Sequence, residues 1–301
     1  MANYDVMIIG AGPAGCTSAI YCARRGLKTL LIEPKEVGGA LLYGATIENY
    51  PGFESINGIE LAEKFKNQVK KLNAEILKEE VKEIIKTKQG FEVVCLKKKF
   101  SGKSVIVAQG AKPRQLNLKD ESKFIGRGIS YCATCDGPLF NGKEVAVIGG
   151  GNSAFHYALF LAEICSKVYL IHRSEFRADK ILVEKLKKMK NIVFKQPYEV
   201  VELTGDRMLS SIKIKSKEEK IEELKVTGLF VSIGQDPNTS FLKNLDLKLT
   251  TEGYVSVDQH MVTNVPGMFG AGDITGIGRQ VVIAAGQGAL AALSAEKYLK
   301  H

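Results

Sequence analysis

Two copies of one local pattern constrain what this chain can fold into. Residues 4–9 form an apolar run followed by Gly10-Ala11-Gly12-Pro13-Ala14-Gly15, a small-residue helical segment to about residue 25, and a second apolar run over 28–32. Residues 144–148 begin the same series: Gly149-Gly150-Gly151-Asn152-Ser153-Ala154, a helical segment to about residue 163, and a run over 167–171. Strand, glycine turn, helix, strand is a βαβ unit, which needs a parallel sheet and places the chain in the α/β class. A length of 301 residues suits roughly two such domains. Around the repeats, Leu61, Phe65, Val69 and Leu72 share one helical face, 91–107 and 226–233 read as strands, and 279–299 reads as a long Ala-rich helix.

The glycine turns point to nucleotides. Glycine lets the backbone approach a pyrophosphate, and the following helix N-terminus offers unpaired N–H groups and a positive dipole end. One such motif is weak, but here each copy follows a strand and precedes a helix, the context the motif requires. The residue ending the second strand differs between the copies. It is Glu33 in the first, an acid suited to a ribose diol and therefore to FAD or NAD. In the second it is His172, followed by Arg173 and Arg177, a cationic cluster suited to the 2′-phosphate of NADPH or to a solvated strand end.

Between the copies lies Cys132-Ala-Thr-Cys135-Asp136. A CxxC pair in a cytosolic protein carries redox chemistry or half of a metal site. The remaining four cysteines are isolated and the chain has only four histidines, so dithiol–disulfide exchange is the better reading and no metal is expected. Asp136 suits either a proton shuttle for the thiols or a helix cap. The N-terminus has no signal-peptide pattern and no stretch suits a membrane span, so the expected location is the cytoplasm. The net charge of +9 is spread over amphipathic segments with no basic arm, so it reads as a solvated lysine-rich surface rather than a nucleic-acid site, and it would also attract an acidic protein partner.

Taken in order, Gly10–Gly15, Ile47-Glu-Asn-Tyr-Pro-Gly52, Cys132-Ala-Thr-Cys-Asp-Gly137, Ile233-Gly-Gln-Asp-Pro-Asn238, Gly270-Ala-Gly-Asp273, Arg279-Gln280 and Ala284-Ala-Gly-Gln-Gly-Ala289 resemble low-molecular-weight thioredoxin reductases. The resemblance runs from about residue 4 to 300. It implies two Rossmann-like, three-layer domains: an FAD domain over 1–115 and 245–301, with a pyridine-nucleotide domain, 116–244, inserted in it. It implies a homodimer acting on thioredoxin. By position, Gly10, Gly12, Pro13, Ala14, Gly15, Glu33, Gly38, Gly39, Asn49, Gly110, Gly272, Asp273, Arg279 and Gln280 would line FAD. Gly149, Gly151, Asn152, Ser153, Ala154, Arg173 and Arg177 would line NADPH. Cys135 would be the thiol nearer the flavin, Cys132 the thiol that attacks the partner, and Asp136 the acid/base. In the implied cycle, electrons pass from flavin into the Cys132–Cys135 disulfide, the inserted domain rotates, and the exposed dithiol reduces thioredoxin.

The chain departs from the family pattern at the input side. The family strand end reads His-Arg-Arg-x-x-Phe-Arg; here it is His172-Arg173-Ser174-Glu175-Phe176-Arg177, one residue and one arginine shorter. Phe155, His156 and Tyr157 replace the usual glutamate-bearing turn, and their bulk predicts crowding of a nicotinamide site. Gln287 stands where an acid is usual, Gln109 where Thr or Ser is usual, and Ala40 where Gln is usual. Two donors fit this pattern: NADPH, or the reduced ferredoxin used by relatives of the family. A flavin redox sensor would share the fold but would not need the complete Cys-x-x-Cys-Asp.

Overall fold

The computed structural model describes residues 3–43 and 46–300. The chain divides into two units, residues 1–112 with 236–301 and residues 113–235, so the second is an insertion in the first.

In the first unit the apolar run becomes the strand Asn3–Ile9 at the middle of a mainly parallel sheet. It pairs in parallel with Thr29–Ile32 on one side and with Lys99–Val107 on the other. Glu75–Leu77 extends the first edge, and Met268–Gly270 pairs in parallel with the far end of Lys99–Val107. Gly90–Cys95 and Val81–Thr87 complete the sheet as an antiparallel ribbon. Val6, Met7, Ile8 and Ile9 are all buried, because apolar clusters cover both faces of the strand. Val6 and Ile8 pack in one core cluster, Met7 and Ile9 in the other, as the period of two requires. Each such side chain contributes roughly 1.5–3 kcal/mol of burial.

The helix Gly58–Lys71 starts at Asn57, whose side chain accepts the Ile59 N–H at 2.9 Å, and buries Leu61, Phe65 and Val69. The closing helix Val281–Leu299 crosses the first helix, Pro13–Arg24, at backbone contact. A Cβ on Gly288 would fall 2.2 Å from the Ala14 carbonyl oxygen. The Ser18 hydroxyl lies 2.9 Å from that carbonyl and 3.0 Å from that of Gly288. This crossing fixes the N-terminus of the first helix against the sheet.

The second unit repeats the scheme. Its parallel sheet runs Ile129–Ser130, Gly228–Val231, Glu144–Ile148, Lys167–Ile171, Ile192–Lys195. An antiparallel sheet of Tyr198–Gly205, Leu209–Ser216 and Ile221–Leu224 accompanies it. The helix Asn152–Ile164 packs Phe155, Ala158 and Leu161 into the core beside Val147 and Leu170. Among the described residues no helix is long and apolar enough to cross a membrane, and no group of three or more His, Cys, Asp or Glu could hold a metal ion.

Candidate functional site

The first glycine turn is built by exclusion of side chains. Gly10 sits at φ +98, and a Cβ there would lie 2.5 Å from the Ala108 carbonyl oxygen; a Cβ on Gly15 would lie 1.8 Å from that of Gly10. Pro13 opens the helix and Gly12 precedes it without a side-chain cap, so the helix N-terminus keeps its N–H groups uncovered by side chains. A second glycine pair closes over the turn: Gly38 N–H donates to the Ala11 carbonyl at 2.8 Å, and a Cβ on Gly39 would lie 3.0 Å from the Gly12 Cα. Ala14 is buried beneath them.

Glu33 ends its strand as expected, and the backbone holds its carboxylate. Oε2 accepts the Ala11 N–H at 3.0 Å and Oε1 the Lys35 N–H at 3.1 Å, which leaves lone pairs on both oxygens for a diol. Asn49 donates from Nδ2 to Gln280 Oε1 at 3.0 Å. The Asp273 carboxyl is pushed up by burial, and the Arg279 charge offsets part of that shift. Gly272, at φ +81, donates its N–H to Gln287 Oε1 at 2.7 Å. Gly110, at φ +67, accepts the Asn238 N–H at 3.3 Å. Gln109 Oε1, beside the turn, is buried without a hydrogen-bond partner. Uncapped helix N–H groups, an anchored acid at the strand end, an Asp273 carboxyl within the field of the exposed Arg279 and an orphaned acceptor fit a dinucleotide such as FAD.

The second glycine turn follows the same logic. Gly149 sits at φ +147, where a Cβ would meet the Ser232 carbonyl oxygen at 2.3 Å, while Gly151 has open space around it. Ala154 is buried; Ser153 is exposed. The arm after His172 folds across the turn: Arg177 N–H donates to the Gly150 carbonyl at 2.7 Å, and Asn152 and Asp179 exchange bonds of 2.8 and 3.0 Å. The His172 ring packs on Gly150 and stacks on Phe176 at 5.8 Å between centroids. Burial lowers the His172 pKa, and the Arg177 and Arg173 charges lower it further. Both guanidiniums are exposed, and no ion pair engages them among the described residues.

The crowding expected at this turn does not come from Phe155. Phe155 is fully buried and points into the core, edge-on to Phe176 at 5.1 Å. His156 is exposed, and Tyr157 donates its hydroxyl to the Tyr131 carbonyl at 3.3 Å. The helical period places residue 155 with 158, 159 and 162 on the buried stripe, so its bulk fills the unit rather than the turn.

Cys132 and Cys135 form a disulfide with Cα atoms 5.3 Å apart, at the start of the short helix Ala133–Asp136. The Cys132 N–H donates to Ser130 Oγ at 3.0 Å, and the Ser130 hydroxyl lies 2.6 Å from Asp136 Oδ2. Asp136 makes no capping bond; its Oδ1 is buried without a hydrogen-bond partner. Burial pushes its carboxyl up, with the Ser130 bond opposing. A carboxyl that keeps its proton above the ordinary range, beside a disulfide, can give that proton to a departing thiolate. Cys16, Cys22, Cys95 and Cys165 are buried thiols apart from this centre. Ser130, Tyr131 and Glu121, which the sequence reading does not single out, surround the centre. The Ser130–Asp136 and Glu121–Tyr131 bonds bridge six and ten residues across turns, beyond any local periodicity.

Residues 4–288 match the family described as pyridine nucleotide-disulphide oxidoreductase. The chain is 43% identical to a thioredoxin reductase of Helicobacter pylori, covering 99% of each chain. It is 39% identical to a thioredoxin reductase of Listeria innocua, covering 99% of this chain and 94% of that one. The crystal structure of thioredoxin reductase from Streptococcus pyogenes superposes with a TM-score of 0.95 at 36% identity, covering 99% of both chains. The chain therefore belongs to the pyridine nucleotide-disulphide oxidoreductases and, within them, to the low-molecular-weight thioredoxin reductases, flavin-dependent oxidoreductases that carry FAD.

Proposed function

We propose that this chain reduces thioredoxin with electrons from NADPH, delivered through the Cys132–Cys135 disulfide. In this reading the first glycine turn, Glu33 and Asp273 hold FAD, and the second glycine turn with Arg173 and Arg177 holds NADPH. FAD supplies the two-electron carrier between the nucleotide and the disulfide. Two electrons and two protons convert Cys132–Cys135 to a dithiol, with Asp136 as the local proton donor. The Cys132 thiolate then attacks the thioredoxin disulfide to form a mixed disulfide. Cys135 displaces the reduced thioredoxin and restores the Cys132–Cys135 bond. Cys135 is the thiol nearer the flavin. The functional enzyme is a cytoplasmic homodimer.

The observation that carries the donor assignment is the pair of exposed, unpaired guanidiniums at the end of Lys167–Ile171, beside the open Gly151. Two arginines offer a 2′-phosphate charge-assisted, bidentate bonds. Against NADPH stands the net charge of +9, which suits an acidic protein donor such as reduced ferredoxin.

Anaerobic titration of the holoenzyme separates the donors. Stoichiometric NADPH is expected to bleach the flavin within seconds. If NADPH leaves it oxidised while reduced ferredoxin bleaches it, the NADPH assignment fails. Cys132→Ser is expected to keep flavin reduction and lose thioredoxin reduction; retained thioredoxin reduction refutes the disulfide route.

A further inference from the structure

We propose that Glu121 is a positioning residue of the redox centre, acting through Tyr131 on the segment that presents Cys132. The inference rests on the reading of Cys132 as the attacking thiol. Glu121 is only 4% exposed, an uncommon state for a carboxylate. A buried carboxylate is tolerated where donors surround it, and three do so here. Leu116 N–H donates to Oε1 at 3.0 Å, Leu118 N–H to Oε2 at 3.4 Å, and the Tyr131 hydroxyl to Oε1 at 2.9 Å.

The asymmetry of these donors gives the reason. The two backbone N–H groups lie near the start of the unit and fix the carboxylate in place. The third donor belongs to the residue directly before Cys132. Tyr131 is thus held at two points: its phenol by Glu121 and its carbonyl by the Tyr157 hydroxyl. On its chain neighbours, the Cys132 N–H and Asp136 Oδ2 meet at the single Ser130 hydroxyl. A shift of Tyr131 therefore moves the thiol and its proton donor together. Hydrogen bonds to a charged acceptor are stronger and more directional than neutral ones, which suits a brace. Small misplacement of a reacting group costs rate steeply.

The test uses the holoenzyme with Tyr131→Phe, Glu121→Gln and the double variant. Two quantities are read: thioredoxin turnover, and the pH profile of Cys132 alkylation by iodoacetamide after reduction, with the modified residue identified by mass spectrometry. Tyr131→Phe removes one hydroxyl and is expected to keep flavin content, with a modest fall in melting temperature from the lost donor to Glu121. Turnover is expected to fall about tenfold, equivalent to ~1.4 kcal/mol, with a displaced alkylation profile. Glu121→Gln is expected to displace the profile in the same sense, and the double variant to be no worse than the poorer single one, because both remove one contact. Wild-type turnover and profile in Tyr131→Phe, or additive losses in the double variant, would overturn the proposal. If Glu121→Gln does not fold, Tyr131→Phe alone decides. Thioredoxin reduction by Cys132→Ser would sink the attacking-thiol reading, whereas the alkylation profile reports on positioning directly.

Discussion

The Ser130 hydroxyl donates to Asp136 Oδ2 at 2.6 Å, while Asp136 Oδ1 is buried with no partner. One oxygen is thus anchored and the other is left to carry a proton. Burial raises the carboxyl pKa and the Ser130 bond partly opposes it, so the acid holds its proton to higher pH than an ordinary aspartate. The proton-donating form is lost as pH rises through this raised value. The same shift favours the fold below the unfolded pKa and is lost as pH rises through the folded one. Asp136→Asn is expected to slow single-turnover thioredoxin reduction by about a hundredfold or more and to remove this limb of the pH profile. Ser130→Ala removes the bond that favours the ionised form, so the limb moves to higher pH. A profile unchanged in both variants excludes Asp136 as the proton donor.

At the second glycine turn, Arg173→Ala and Arg177→Ala are each expected to raise KM for NADPH by about tenfold or more, the worth of a charge-assisted bond to a phosphate, and to leave KM for NADH unchanged. The same variants report on His172, whose pKa is lowered from the ordinary imidazole range by burial and by the two guanidiniums. Removing Arg177 is expected to raise it, read as a shift of the imidazole NMR titration. With the folded value depressed, the fold favours the neutral imidazole, and stability falls as pH drops below the unfolded value. Equal effects on NADPH and NADH would show that these arginines do not read a 2′-phosphate.

What was legible in the sequence divides by range. The βαβ repeats are local: apolar runs of strand length, glycines where φ is positive, and Pro13 at a helix start are each read within a few residues. Gly10 at +98 and Gly149 at +147 stand where those patterns place them. Phe155 is instructive because both signals were local and they conflicted. Bulk alone puts it in the turn, whereas the helical period puts it on the buried stripe, and burial follows the period. Gln287 carries a similar signal. It shares the buried stripe of Val281–Leu299 with Ala284, Gly288 and Ala291, and a polar residue there announces a buried partner without naming it. Ser130–Asp136 and Glu121–Tyr131 depend on how a turn folds back, and no periodicity encodes that.

Gln287 gives a prediction about the flavin side. Its Oε1 accepts the Gly272 N–H at 2.7 Å and lies 3.4 Å from the Thr275 hydroxyl, under the turn that presents Asp273. Gln287→Ala leaves a buried N–H unpaired, a loss of about 1–3 kcal/mol. Chemical denaturation is expected to show that loss, with a lower FAD content per chain after gel filtration. Wild-type stability and full FAD retention would mean that the Gly272 turn is set by other contacts.

The helix crossing at Gly288 supplies a matched pair of substitutions. Gly288 and Gly286 both lie in the helix Val281–Leu299, so the intrinsic gain from Gly→Ala is the same at each, about 0.5–1 kcal/mol. Their surroundings differ. A Cβ at 288 would fall 2.2 Å from the Ala14 carbonyl oxygen and 2.9 Å from its carbon, which are backbone atoms that cannot rotate away; a Cβ at 286 meets nothing within 4 Å. Gly288→Ala must therefore push the closing helix off the first helix. Because Ala14 belongs to the first glycine turn, the displacement reaches the helix N-terminus placed against FAD. The expected outcome for Gly288→Ala is a lower melting temperature together with loss of FAD, and for Gly286→Ala equal or slightly raised stability with full FAD content. If both variants keep FAD equally well, the crossing does not set the flavin site.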